Sequence, residues 1–352
     1  MTEPNPTPRA LGFRMPAERL PHAAIWTGWP EDDALWEGRL EPVRREFARF
    51  VAILTRFEPV RLIVASDEAE TDARRRLAAA EARADALRFV RLPYDDVWLR
   101  DSGPLFLLGT DGRLAVADWR FDGWGGKYAA EQDDRLPERI ADLLGVRRFR
   151  SEIVLEGGAI EIGDDGTVLT TRSCLLDGVR NPGFTERDYE EALRERAGAT
   201  RVVWLEGGLV DDHTDGHVDT VARFAGPDTI VCVVADPDDA ENRDALDANL
   251  ERLRALRRAD GEPYRIVTLP LPDDRSRIGG VRPARSYANF CLVDGGVIVP
   301  TYHDPRDAAA LAALRSAFPE REVVGLPAAE LVTGGGAFHC VTQHQPEGGI
   351  PS

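Results

Sequence analysis

Near the end of the chain, Gly334-Gly335-Gly336-Ala337-Phe338-His339-Cys340 places one cysteine behind three consecutive glycines. Glycine tolerates positive φ and close backbone approach, so the run predicts a bend that presents Cys340 to a tight pocket. A thiolate there is a strong nucleophile once a cation or a helix terminus lowers its pKa. A lone cysteine is also a common small core hydrophobe, so the nucleophile reading needs partners elsewhere.

Three further polar clusters fall at turns or strand ends, where scaffolds display reactive groups. In Asp95-Asp96-Val97-Trp98-Leu99-Arg100-Asp101-Ser102, carboxylates flank an aromatic ring and an arginine; a surface salt-bridge lattice would look the same. Glu156-Gly157-Gly158 ends the apolar run Ile153-Val154-Leu155. The glutamate points into a cleft or sits in a solvated turn, and Glu206, in a second Leu-Glu-Gly-Gly copy, shows that sequence does not separate the two. The densest cluster is His213-Thr214-Asp215-Gly216-His217-Val218-Asp219. His-x-x-x-His beside a carboxylate is also what a metal site offers. Gly216 and the run Val218 to Val221 instead favour a turn entering a strand, where His217 and Asp219 project to one side. A nucleophile, an acid/base and paired aspartates suit a substrate that is cationic at the reacting carbon. A guanidinium is such a cation, planar and with a fork of N–H donors that matches carboxylates.

The elements that must position these residues recur with one grammar. The segment to about Pro30 reads as an irregular covering strap. Leu40, Val43, Phe47, Val51 and Leu54 predict a helix over Arg39 to Phe57, followed by a strand at Arg61 to Ala65. A helix over Thr71 to Ala84, a strand over Leu87 to Leu92 and a hairpin around Thr110-Asp111-Gly112 come next. Helices at Pro137 to Leu144, Glu186 to Ala197, Asp238 to Arg258 and Asp304 to Phe318 then alternate with strands, including strands at Ala159 and Val218. Units of several strands and one helix predict radial repetition rather than a doubly wound sheet. No Gly/Ser linker divides the chain, so residues 1–352 read as one domain.

Composition excludes other classes. A net charge of -17 argues against nucleic acid or an anionic membrane as partner, because phosphate binding needs clustered basic surface. Four cysteines without a C-x-x-C pair form neither a disulfide framework nor a structural zinc signature, which points to a reducing compartment. The first residues lack an apolar signal region and no segment reaches membrane-span length, so a cytoplasmic location is expected. Lys127, the only lysine, precedes Tyr128 rather than Ser or Thr, which removes a P-loop.

Together the clusters resemble the agmatine deiminase and bacterial peptidyl-arginine deiminase family of the guanidine-modifying superfamily. The resemblance is carried by MPAERLPH…WTGWP, DDVWLRDSGP, FDGWGGKY, LEGGAIEI, TTRSCLLDGVRNP, TDGHVD, SYANF, VIVPTY and GGGAFHCVTQ, which span nearly the whole chain. It implies a five-bladed, pseudo-symmetric α/β propeller around a central site. It implies hydrolysis of agmatine to carbamoylputrescine and ammonia, a step of putrescine and polyamine biosynthesis, with no metal or organic cofactor. On the matching positions, Cys340 is the nucleophile attacking the guanidino carbon, His217 the general acid/base, and Glu156 its orienting carboxylate. Asp96 and Asp219 clamp the guanidinium nitrogens, with Trp98, Gly335, Gly336 and His213 as further substrate contacts. Phe338, His344 and His213 depart from the family pattern, and His213 and Phe338 are expected at the pocket wall. Deimination of free arginine or of arginine at a peptide C-terminus remains the alternative, ahead of a metallohydrolase or a guanidine-binding protein without turnover. A homo-oligomer is left open.

Overall fold

In the helix Leu40–Phe57 the residues Leu40, Val43, Phe47, Val51 and Leu54 are all buried, so its apolar stripe packs inward as the spacing predicts. The computed structural model describes residues 6–278 and 280–349; the first five residues, 279 and the last three of the expected 1–352 domain lie outside the described residues. The second helix runs over Asp67–Ala79, earlier than the alanine-rich stretch predicts. Ser66 starts it by accepting the Ala69 N–H at 3.0 Å.

The described residues form five separate sheets, and one order of elements recurs in them. An antiparallel pair is followed by a helix that crosses over to a parallel strand. In the first sheet Leu105–Gly109 and Leu114–Arg120 lead through Leu136–Leu144 to Arg147–Val154. The second takes Glu161–Ile162 and Thr167–Thr171 through Glu186–Ala197 to Arg201–Leu205. The third takes Ala222–Phe224 and Thr229–Val234 through Ala240–Ala255 to Arg265–Pro270. The fourth takes Cys291–Val293 and Gly296–Thr301 through Asp307–Ala317 to Glu322–Pro327. In the fifth the unit is divided between the chain ends: Thr342–Pro346 pairs antiparallel with His22–Gly28, which pairs parallel with Val60–Val64. The α/β class and the repeated unit are therefore as expected.

Two expectations fail. The segment before Pro30 is more than a strap, because His22–Gly28 is a strand with six of its seven residues buried, a run suited to a position covered on both faces. Ala159 and Val218 lie not in strands but in the 3-10 turns Gly157–Ala159 and Val218–Thr220. At the second turn side chains override β propensity: Thr214 Oγ1 accepts the His217 N–H and Thr220 Oγ1 donates to the His217 carbonyl. Among the described residues no helix is long and apolar enough to cross a membrane.

Candidate active site

Each glycine of the triplet leaves room for a different side chain. A Cβ on Gly334 would run into the Trp36 ring, and one on Gly335, where φ is +125°, would run into the His213 imidazole. A Cβ on Gly336 would lie 2.8 Å from Cys340 Sγ and 3.0 Å from Trp98. The triplet thus packs three walls of a pocket directly on backbone, as three consecutive glycines predict.

Cys340 is 5% exposed and belongs to the largest buried cluster, so the site is rooted in the core. Its Sγ lies 3.5 Å from Asp219 Oδ2. Burial pushes the thiol well above its ordinary range, and Asp219 and Asp101 push the same way. Asp219 Oδ2 also accepts from His339 Nδ1 at 2.7 Å, whereas its Oδ1 is buried without a hydrogen-bond partner among the described residues. Burial would raise this carboxyl, but His339 and His217 outweigh it and hold it below its ordinary range.

His217 lies at the centre of a carboxylate cage. Its Nδ1 is 3.6 Å from Asp101 Oδ1 and its Nε2 is 3.9 Å from Glu156 Oε2, and neither nitrogen has a hydrogen-bond partner among the described residues. Burial alone would disfavour the imidazolium, yet Asp101, Cys174 and Glu156 raise its pKa well above the ordinary value. Glu156 is fixed from behind by Arg180, whose Nε donates to Oε1 at 2.7 Å. Arg180 also binds Asp177, Asp215 and the Thr214 carbonyl. Gly158 permits the cage, since a Cβ there would lie 2.6 Å from His217 Nδ1 and 2.8 Å from Asp101 Oδ1.

A cavity of about 360 Å³ opens in front of this cluster, lined among others by Trp36, Asp96, Trp98, Trp124, His213 and Gly335. Asp96 Oδ2 accepts from Trp98 Nε1 at 2.9 Å and its Oδ1 from the Val97 N–H at 2.7 Å. Burial raises the Asp96 carboxyl to about 6 despite both bonds. The sequence-predicted residues Cys340, His217, Glu156 and Asp219 thus meet at one place; Asp96, Trp98, His213 and Gly335 line the cavity, and Gly336 packs against Cys340 and Trp98.

One expectation is corrected. Phe338 does not reach the cavity: it is fully buried and stacks on Phe50 with centroids 4.3 Å apart. His344 faces away, between Arg100 Nη2 at 2.6 Å and the Leu292 carbonyl at 2.8 Å. His213, His217 and Asp219 do not form a ligand set, because His213 turns to Gly335, Trp124 and Tyr128. The group that does come together around His217 is Glu156, Cys174 and His217, within 4.8 Å. Lys127 is taken by Asp215 and the His213 carbonyl. Glu206, unlike Glu156, is exposed and paired with Arg172.

Sequence reasoning missed Asp101, Gly158, Arg180, His339 and Asn289, whose Nδ2 donates to Cys340 Sγ at 3.1 Å, as site residues. Each lies inside a quoted motif, so the signal was the motif as a block and not the residue's own chemistry.

The model of the Porphyromonas-type peptidyl-arginine deiminase family matches residues 14–346. An agmatine deiminase of Ectopseudomonas mendocina is 36% identical over 369 aligned residues, covering 98% of this chain and 99% of the relative. One from Pseudomonas putida KT2440 is also 36% identical, over 97% and 98%. The structure of Enterococcus faecalis agmatine deiminase superposes with a TM-score of 0.89 at 31% identity, covering 97% of this chain and 98% of that one. A substrate-bound C. jejuni agmatine deiminase gives 0.86 at 25% identity over 96% and 97%. With matches of this extent in sequence and in fold, the chain belongs to the Porphyromonas-type peptidyl-arginine deiminase family.

Proposed function

We propose that this protein is an agmatine deiminase, hydrolysing the guanidino group of agmatine to carbamoylputrescine and ammonia through a covalent amidino-cysteine. The observation that carries the proposal is a set of buried polar atoms without partners among the described residues, His217 Nδ1 and Nε2 and Asp219 Oδ1, gathered beside a buried thiol. Unpaired buried polar atoms are costly unless a ligand pairs them, and a planar cation with N–H donors suits a site walled by Asp219, Asp101, Glu156 and Asp96.

In this reading Asp96 and Asp219 bind the guanidinium nitrogens bidentately and hold its carbon at Cys340 Sγ. The bound cation offsets the burial and the aspartates that hold the sulfur as a thiol, so Cys340 releases its proton to solvent and the thiolate adds to that carbon. His217 gives a proton to one terminal nitrogen, which leaves as ammonia with its bonding pair, and the amidino group stays on sulfur. His217, now neutral, takes a proton from water as its oxygen adds to the same carbon. Collapse breaks the C–S bond, the departing sulfur takes up the proton of the new hydroxyl and returns to the resting thiol, and the ureido product is released. Glu156, held by Arg180, and Asp101 stabilise the imidazolium form of His217 throughout.

Agmatine is favoured over arginine by the charges around the opening. The cavity-lining cations are already engaged, Arg39 by Glu330 and Arg282 by Asp239, which leaves a substrate carboxylate poorly matched. Glu37, by contrast, is an exposed carboxylate at the rim, outside the ion pairs of the described residues. Trp36, Trp98 and Trp124 supply apolar and cation-binding walls for a methylene chain that ends in an ammonium. The five sheets, with the last shared between chain ends, support one domain closed as a five-bladed propeller. Four free, buried cysteines fit a cytoplasmic place in putrescine formation.

The test is ammonia and ureido-product formation from agmatine, arginine and a peptide ending in arginine, with wild type and Cys340→Ala. Turnover of agmatine that the substitution abolishes is expected. Turnover of arginine or the peptide alone overturns the substrate, and substantial activity in Cys340→Ala overturns the mechanism.

A further inference from the structure

We propose that the preferred substrates of this site are agmatines whose distal amine carries an apolar alkyl or arylalkyl group, with the guanidine held inside, the secondary ammonium at Glu37 and the substituent on a collar of Leu35, Tyr128 and Val281. The proposal rests on the deiminase reading above and narrows its substrate class.

The cavity is larger than agmatine needs. At about 360 Å³ it falls in the range that takes drug-sized ligands, about 300–1,000 Å³. Agmatine is only a short methylene chain between a guanidine and an ammonium. With its guanidine at the inner end, it leaves the outer part of the cavity to something else.

That outer part is apolar on several walls. Trp98, whose ring N–H bonds Asp96, packs on Trp36 with ring centroids 5.8 Å apart. Both rings are buried, and the neighbour of Trp36, Leu35, is 39% exposed. On another wall the buried Trp124 meets Tyr128 edge-on at 5.5 Å, and Tyr128 is 48% exposed. Val281, on a third, is 47% exposed. All of them line the cavity, so its apolar lining runs from the clamp to the surface. Among the described residues six large hydrophobic side chains are this exposed, and three of them stand at this one mouth. Single exposed leucines need no explanation, whereas apolar groups gathered around a ligand site mark what the ligand covers.

The charges place the amine. Three carboxylates line the cavity: Asp96 at the inner end, Asp211 paired with Arg277, and Glu37. Glu37 is exposed, outside the ion pairs of the described residues, and separated from Leu35 only by Trp36. Its φ of +50° is a left-handed conformation that glutamate rarely takes, and the turn is closed by hydrogen bonds of the Trp36 and Gly38 N–H groups to the Asp33 carbonyl, each 3.2 Å. A carboxylate and an apolar side chain this close call for a cation that itself bears an apolar group. A secondary ammonium provides both; a primary ammonium lacks the apolar group and a neutral amide lacks the charge. An acidic substituent finds no free cation, because Arg39 and Arg282 are engaged by Glu330 and Asp239. The reaction is the hydrolysis already described, giving ammonia and the amine-alkylated ureido compound.

The test compares kcat/KM for agmatine with that for its N-benzyl and N-benzoyl derivatives on the distal amine, which match in reach and differ in charge. Wild type is expected to favour the benzyl compound over agmatine by at least about 10-fold, the scale of burying part of an aromatic ring, and over the benzoyl compound by a similar factor. In Leu35→Ser, Tyr128→Ser and Val281→Ser, all at exposed positions that tolerate serine, the benzyl-to-agmatine ratio is expected to fall toward unity. Leu143→Ser, equally exposed but outside the cavity lining, should keep it. In Glu37→Gln the gap between benzyl and benzoyl compounds should close. Turnover of agmatine with no benzyl advantage overturns this inference and leaves the deiminase reading standing. A ratio that survives all three collar substitutions overturns it too, as does a benzoyl compound that matches the benzyl one. If sedimentation shows the collar variants losing an oligomer while the ratio stays unchanged, the collar belongs to a second copy of the chain and the proposal fails. Silence toward all three compounds overturns the deiminase reading itself, a separate failure.

Discussion

Asp219 and His339 share a hydrogen bond of 2.7 Å, and the other ring nitrogen of His339 lies 2.8 Å from Glu18 Oε1. Glu18 also binds Arg100 and Arg223, each at 2.6 Å. The carboxylate of the candidate clamp therefore rests on a buried chain of hydrogen bonds that reaches back into the N-terminal segment. Burial would raise the Glu18 carboxyl, but Arg100, His339 and Arg223 outweigh it and hold it well below its ordinary range. A depressed carboxyl contributes stability above its unfolded pKa and loses it as pH falls through the folded value. Glu18→Gln leaves two buried guanidiniums short of a counter-charge. It is expected to cost about 3–5 kcal/mol at pH 7, and the difference from wild type should shrink below about pH 4. Denaturant titration at both pH values checks this.

Asp96 predicts the opposite sign. Its carboxyl is raised to about 6, so folding favours the protonated form and burying the anion costs stability as pH rises from the unfolded value to 6. A cation needs the ionised form. The kcat/KM profile for agmatine is expected to fall on the acid side with a midpoint near 6, because that ratio reports the free enzyme. In Asp96→Asn the limb should vanish and activity should drop by at least about 100-fold, the cost of a desolvated cation losing a counter-charge. At pH 8 the same variant should be more stable than wild type by about 1–2 kcal/mol. A variant that is both less active and less stable at pH 8 would speak against this account.

Gly335 and His213 predict a coupled pair. Alanine at 335 would adopt a φ of +125° with its methyl group in the His213 ring, so His213 must shift into the cavity. KM for agmatine in Gly335→Ala is expected to rise at least about 10-fold. Removing the ring in Gly335→Ala/His213→Ala should restore part of that loss, as contacting residues are not additive. Equal KM values in the single and double variants would leave only backbone strain as the cause.

How legible all this is in the sequence depends on where each residue finds its partners. The helix Leu40–Phe57 is legible because its signal is local, five apolar residues on one stripe. The strand His22–Gly28 is not, because it takes its place by pairing with Thr342–Pro346 at the other end of the chain. Glu156 and Glu206 occupy the same tetrapeptide, and only the tertiary setting separates them: buried and fixed by Arg180 in one case, exposed beside Arg172 in the other. Cys340 is legible through its glycines, yet Asn289, 51 positions away, carries no signal of its own beyond the Ser-Tyr-Ala-Asn-Phe string.

Arg180 yields the most direct test of the acid/base assignment. Burial would raise Glu156, but His217 and Arg180 hold it below its ordinary range, and Glu156 in turn is among the groups that raise His217. In Arg180→Met the buried carboxyl loses its cation and takes up a proton at higher pH than before. His217 then loses one of the charges that keep it an imidazolium, so its pKa falls. His217 in its raised state contributes stability that is lost as pH rises through its folded value, and Glu156 in its depressed state contributes stability that is lost as pH falls through its own, so the variant should lose stability most between those limits, around neutral pH. The basic limb of kcat, where the proton donor for departing ammonia is exhausted, should move to lower pH. Steady-state kinetics across pH on folded Arg180→Met checks this: a basic limb left in place, with only an overall fall in rate, would mean that some group other than His217 donates the proton.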